Sequence, residues 1–158
     1  MIKVLVIIDL QKYFKGFLRQ ASVLKGVAAL VKQGGYDHVI NLTYVDSGEL
    51  FPEIAEALKL SPAPVIHAEK NSNSGARQIF EALQNNGVDV TDALEFDVVG
   101  INTPFCVYDT VAQLVYKIDD FTGNKIRVIR KLVSHQSYQC KHLAPAIRHM
   151  KQLGIEIV

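Results

Sequence analysis

Three residues far apart in the chain have the types needed to activate a sulfur nucleophile: the carboxylate of Asp9, the ammonium of Lys70 and the thiol of Cys106. A thiol attacks well only as it gives up its proton, so the chemistry asks for a base and for a cation that holds the base ionised. Each residue also has an ordinary reading. Asp9 suits a turn or a helix cap, Lys70 a solvated surface, and Cys106 a small buried hydrophobe. Position favours the chemical reading. Asp9 closes the apolar run Lys3–Ile8, Lys70 stands in a polar loop after the run Ala63–His67, and Cys106 follows the run Asp97–Gly100. Pro104 suits the first turn of a helix, which puts Cys106 at a helix N-terminus. There the positive end of the helix dipole favours thiolate over thiol, and unpaired N–H groups can bind a developing oxyanion.

The elements that must hold these residues read as alternating strands and helices. Six short β-branched or aliphatic runs, Lys3–Ile8, His38–Tyr44, Ala63–His67, Asp97–Gly100, Ile126–Arg130 and Ile155–Val158, are expected as strands. Helical spacing of apolar residues covers Ala21–Gln33, Phe51–Leu60, Gly75–Asn85, Pro104–Tyr116 and Leu143–Leu153, several closed by a glycine near the C-cap. The first run is apolar almost without a break, as a strand covered on both faces must be. This predicts an α/β fold, a three-layer α/β/α sandwich on a doubly wound, six-stranded, mainly parallel, Rossmann-like sheet, in one domain over residues 1–158. Ligands bind such sheets beyond the carboxyl ends of the strands, which is where Asp9, Lys70 and Cys106 fall.

Composition narrows the partners. Half the residues are hydrophobic, and 17 Lys and Arg nearly cancel 16 Asp and Glu, so no overall field draws nucleic acid or an anionic membrane. The run ending at Asp9 is too short for a membrane span or a signal-peptide core, and a cytoplasmic protein is expected. Cys106 and Cys140 read as two thiols rather than a disulfide, and the five histidines are scattered without zinc-site spacing. No metal and no cofactor are expected. Cys140, in the polar stretch from Ser134 to His142, has no carboxylate at a motif spacing and reads as a bystander, with His135 and His142 marking a subunit contact or pocket rim. A phosphotransfer role for Asp9 would require a second aspartate two residues on, where Gln11 stands, and no Gly-x-Gly-x-x-Gly follows the first strand to bind a dinucleotide.

In order and spacing, these motifs resemble the isochorismatase-like cysteine hydrolases, which include nicotinamidases and N-carbamoylsarcosine amidases. Asp9 and Gln11, with Phe14 shortly after, resemble the family's first motif. Lys70 and Ser74 resemble its second, and Gly100, Thr103, Cys106 and Val107, followed by Thr110, resemble its nucleophile turn. The resemblance spans essentially the whole chain. It implies that Asp9 takes the thiol proton, Lys70 holds the pair electrostatically, and Cys106 attacks a carbonyl to form a thioester that water releases as an acid. It also implies a cis peptide between Ile101 and Asn102, an oxyanion hole from the N–H groups of Asn102 and Cys106, a small-molecule substrate, and a dimer or tetramer. Phe14, Tyr44, Thr103 and Phe105 are the expected substrate contacts, with Tyr13, Phe51 and Tyr108 as further aromatic candidates. Nicotinamidases add a metal site of an aspartate and histidines after strand two. Here that stretch offers Asp46 without a nearby histidine, and His67 stands alone, so the metal site is expected to be absent and nicotinamidase activity is not expected. Members of the family that cleave the vinyl ether of isochorismate can work without the cysteine, so its presence here implies cleavage of a C–N bond in an amide, ureido or imide compound. A non-catalytic binding or assembly module on the same fold is the alternative.

Overall fold

The computed structural model describes residues 1–118 and 123–158. Six strands, β1 (Ile2–Ile8), β2 (His38–Tyr44), β3 (Val65–Lys70), β4 (Leu94–Ile101), β5 (Lys125–Ser134) and β6 (Glu156–Ile157), form one sheet in the order β3-β2-β1-β4-β5-β6. Every pairing within it is parallel, a stricter arrangement than the mainly parallel sheet expected. Five helices connect the strands: α1 (Gln20–Gln33), α2 (Pro52–Lys59), α3 (Ala76–Asn85), α4 (Tyr108–Ile118) and α5 (Cys140–Gln152).

Alternation along the strands divides the core in two. Val4, Val6 and Ile8 of β1 face α3, α4 and α5, while Leu5 and Ile7 face α1 and α2. All of β4 is buried, which is what a central strand sandwiched between helix layers requires. Its first half was not expected as strand, because Glu95 and Asp97 interrupt the apolar run. Both acids are neutralised from the neighbouring strand: Arg127 Nη2 lies 2.8 Å from Glu95, and Arg127 Nε 2.6 Å from Asp97. Likewise β5 continues past Arg130 to Ser134 through a register shift between Val98 and Gly100, and α5 begins three residues before Leu143. Among the described residues, no helix is long and apolar enough to cross a membrane.

The strand order makes β1 and β4 neighbours and places their carboxyl ends on either side of the point where the chain reverses its winding. Gly100 permits this junction. Its φ is +119°, and a Cβ there would lie 2.1 Å from the carbonyl oxygen of Ile8, so only glycine lets β4 end against β1.

Candidate active site

Asp9 leaves β1 in the left-handed region, with φ +54°, and its carboxylate is turned into the protein with no exposure. Lys70 is not in a loop, as the sequence suggested, but is the last residue of β3, with a side chain that is also fully buried. Nor do the three strands adjoin: β2 lies between β1 and β3. Two strand spacings amount to about 10 Å, a gap that suits the long lysine stem. Lys70 crosses the end of β2 with its Nζ 4.3 Å from the centre of the Tyr44 ring, meets Asp9 Oδ2 at 2.9 Å, and donates to the Ser72 carbonyl at 3.0 Å. Gln11 fixes the same end of β2. Its Oε1 accepts from Tyr44 N at 2.7 Å, and its Nε2 donates to the carbonyls of Tyr44 and Gly48. The Asp-x-Gln spacing thus supplies a buried carboxylate and a clamp for the adjacent loop.

Cys106 lies two residues before α4, not in its first turn as the sequence suggested. The chain passes from β4 through Asn102 into a π-helical turn, Thr103–Val107, and α4 starts only at Tyr108. The Ile101–Asn102 peptide bond is cis. The Val107 N–H donates to the Asn102 carbonyl at 3.0 Å, while the Asn102 N–H points to the Cys106 sulfur. The thiol is buried and makes a long hydrogen bond, 3.8 Å, to Asn73 Oδ1. Asn73 carries no motif signal and was not anticipated from the sequence. It is placed by Thr110, whose hydroxyl donates to the Asn73 carbonyl and accepts from the Gly75 N–H.

The electrostatics correct one expectation. Cys106 is not biased toward thiolate: burial, followed by the neighbouring Asp9 carboxylate, pushes the thiol up to about 12, against weaker opposing effects from Lys70 and the Asn102 N–H. With α4 beginning after Cys106, desolvation outweighs the dipole. Asp9 is also raised above the usual carboxylate value, by burial first, with Lys70 and the thiol pulling it back. Thiol and carboxyl lie near enough to shift one another, yet Asp9 Oδ1 is buried without a hydrogen-bond partner. The carboxyl is an acceptor beside a protonated thiol, and Oδ1 is the oxygen that Lys70 leaves open.

Cys106 opens onto a cavity of about 490 Å³ walled by Tyr13, Phe14, Tyr44 and Phe105, with Asp46, Ser47, Asn73, Asn102 and Gln139 supplying polar atoms. Phe14, Tyr44 and Phe105, expected as substrate contacts, line this cavity. Thr103 does not: it is buried, donates to the Ser134 carbonyl at 2.9 Å, and borders a different cavity of about 950 Å³ behind the nucleophile turn, to which Asp9, Lys70 and Cys106 do not contribute. Phe51 packs on Phe17 in the core, and Tyr108 pairs with His149 on the surface. Cys140, read as a bystander, lies 3.4 Å from His135 Nε2.

The residues present do not fit the nicotinamidase metal site. Asp46 stands at the cavity with Val45 and Ser47, whereas His67 is turned to the opposite face of β3 from Ile66 and Ala68 and pairs through Nδ1 with Asn41 at 3.1 Å. Among the described residues, no group of three or more His, Cys, Asp or Glu side chains could hold an ion.

No protein-family model and no curated protein matches the chain. Solved structures do. The nicotinamidase SaPncA from Staphylococcus aureus superposes with a TM-score of 0.74 at 20% identity, covering 98% of this chain and 97% of that one. An isochorismatase family protein gives 0.71 at 18% identity over 99% of this chain and 97% of its own. The MAR1 ribonuclease from Caenorhabditis elegans gives 0.71 at 20% identity, covering 98% of this chain and 75% of that one. Proteins of one fold are named for different activities at the same level of identity, so likeness of fold does not name a substrate. What the superpositions establish is that this chain has the three-layer, parallel α/β fold shared by the nicotinamidases and isochorismatase family proteins.

Proposed function

We propose that this chain is a cysteine hydrolase of the isochorismatase-like family, an amidase-type enzyme that cleaves a C–N bond in a small amide, ureido or imide compound. The observation that carries the reading is the fully buried Asp9–Lys70 pair, which leaves one carboxylate oxygen unpartnered next to a protonated thiol at the wall of a cavity. A buried ion pair is weak evidence for stability, and an orphaned oxygen within it is a cost that packing alone does not explain.

In this mechanism the resting state holds Cys106 as thiol and Asp9 as carboxylate. As Sγ attacks the substrate carbonyl, the thiol proton passes to Asp9, so no free thiolate is required and the high thiol pKa is no obstacle. The N–H groups of Asn102 and Cys106 are assigned to the developing oxyanion. Asp9 then delivers the proton to the leaving nitrogen, the C–N bond breaks, and a thioester remains on Cys106. Asp9 next takes a proton from water, whose oxygen attacks the thioester; the acid leaves and the thiol is restored. Lys70 keeps Asp9 oriented and offsets its charge throughout.

The non-catalytic alternative would be favoured by Lys70 or Asp9 turned away from Cys106; the 2.9 Å contact between Asp9 and Lys70, together with the mutual shift of Asp9 and the thiol, supports the enzyme instead. A panel of small amides, ureido acids and imides, assayed for ammonia release with wild type and Cys106→Ala in parallel, tests the reading. Turnover by the wild type alone is expected. Full turnover by Cys106→Ala on a confirmed substrate would remove the nucleophile assignment. A dimer or tetramer belongs to the same proposal and is checked by sedimentation.

A further inference from the structure

The wall of the Cys106 cavity has a charge balance of its own. Among the described residues, Asp46 is the only Asp, Glu, Lys or Arg that lines it, and the Asp9–Lys70 pair behind the wall is internally neutralised. Asp46 is exposed, held at φ +55°, and makes no ion pair or hydrogen bond among the described residues. The nearby cation Lys12 is engaged by Glu49 at 3.0 Å. Four aromatic rings complete the wall, with Phe14 set edgewise to both Tyr13 and Tyr44. A free carboxylate among aromatic rings, one of which already has the Lys70 ammonium 4.3 Å from its centre, is a setting in which an ammonium group is favoured by Coulomb attraction and by cation–π contact. A substrate carboxylate would meet Asp46 with no lining cation among the described residues to answer it.

We propose that the cavity selects amides whose remote group is a cation, an amino or quaternary ammonium group seated at Asp46 and the aromatic wall, and discriminates against amides that bear a carboxylate. This rests on the hydrolase reading only for which carbonyl reacts; the charge preference is a property of the cavity whether or not turnover occurs.

Three amides separate the contributions: 2-(trimethylammonio)acetamide, its neutral carbon isostere 3,3-dimethylbutanamide, and the smaller anion malonamate with its planar carboxylate. Binding to Cys106→Ala is measured by calorimetry, and ammonia release by the wild type. The cationic amide is expected to bind about tenfold more tightly than malonamate and severalfold more tightly than the neutral isostere. In Cys106→Ala/Asp46→Asn the cation-to-neutral ratio is expected to fall close to one, while added salt narrows the cation-to-anion ratio in the parent. Malonamate binding as well as the cation, a ratio that survives Asp46→Asn, or no binding by any of the three up to tens of millimolar would overturn the proposal. Binding with the expected preference but no hydrolysis would overturn the hydrolase reading and leave the cation subsite standing. Hydrolysis with no charge preference would do the reverse.

Discussion

The molecule holds two charge clusters inside its α/β frame, at opposite ends of the strands, and they are built to different rules. At the amino end, Arg127 grips Asp97 with two hydrogen bonds, Nε to Oδ1 at 2.6 Å and Nη2 to Oδ2 at 2.8 Å, reaches Glu95 as well, and leaves Oδ2 to accept also from the Tyr36 hydroxyl at 2.8 Å. Both oxygens of Asp97 are satisfied, and Arg127 and Tyr36 are shifted upward, toward keeping their protons, chiefly by their bond to Asp97 and by burial, respectively. At the carboxyl end, Lys70 satisfies one oxygen of Asp9 and leaves the other bare, in full burial. The satisfied cluster lets two acids sit within a central strand. The unsatisfied one keeps an acceptor in reserve, which costs stability and, in the mechanism proposed above, serves proton transfer.

The contrast is broken first, and most severely, by removing the nucleophile. Cys106→Ala is expected to lower kcat by about 10⁴-fold or more while the thermal midpoint stays within a few degrees of wild type, as turnover and scanning calorimetry would show. Asp9→Asn removes the base and strands a buried ammonium; kcat is expected to fall by about 10²–10⁴-fold and stability by about 3 kcal/mol in urea unfolding. Adding Lys70→Met to that variant should restore about 2 kcal/mol without restoring activity, since a buried pair removed whole costs less than one broken. Asp97→Ala in the satisfied cluster should show the opposite profile: a loss of about 2 kcal/mol, moderated because Arg127 is one-third exposed, with kcat/KM unchanged within a factor of about two. Should Asp97→Ala inactivate the enzyme while Asp9→Asn only destabilises it, the two clusters have been assigned the wrong roles.

Smaller effects follow from pH. Asp9 is raised above its ordinary 3.8, so in the folded protein it holds its proton to higher pH than in the unfolded chain. Its contribution to stability is therefore present below about 4 and is lost as pH rises through the folded value, the reverse of an ordinary salt-bridged aspartate. Activity runs the other way. A protonated Asp9 cannot accept the thiol proton, so kcat/KM should fall with an acid limb lying above 3.8, measurable as a pH–rate profile. Asn73→Ala, which removes only the long contact to sulfur, should reduce kcat about three- to tenfold.

How much of this was legible in the sequence depended on whether the cause was local. Asp9 and Cys106 could be located near strand ends because each follows an apolar strand, and Gly100 because it closes one, and strand ends are where ligands bind. Lys70 was identified as a residue but misplaced as a structure: Glu69 and Lys70 look like the start of a loop, yet the last strand residue is the one whose side chain can cross β2. The acids of β4 concealed half a strand, since Arg127 lies 30 residues further on and its pairing leaves no local trace. Thr103 matched a motif, but the turn aims its hydroxyl at Ser134 rather than the cavity. Asn73 and the charge of the cavity wall had no signal at all, because they depend on which loops the fold brings together. The thiolate expectation failed on a balance of magnitudes: a helix end offers a fraction of a charge within its first turn, whereas burial acts on the whole charge.

The central claim is that Cys106 rests as a thiol and is deprotonated by Asp9 only as it attacks. The most direct test is the pH dependence of Cys106 alkylation by iodoacetamide, read by peptide mass spectrometry so that Cys140 is counted separately, in wild type and in Asp9→Asn. The account predicts wild-type labelling that is slow at neutral pH and still rising beyond pH 10, in keeping with a thiol pushed up to about 12, and a profile displaced to lower pH in Asp9→Asn, where the carboxylate that holds the proton is gone and Lys70 remains. A wild-type plateau reached below pH 8, or an Asp9→Asn profile that does not move, would contradict it.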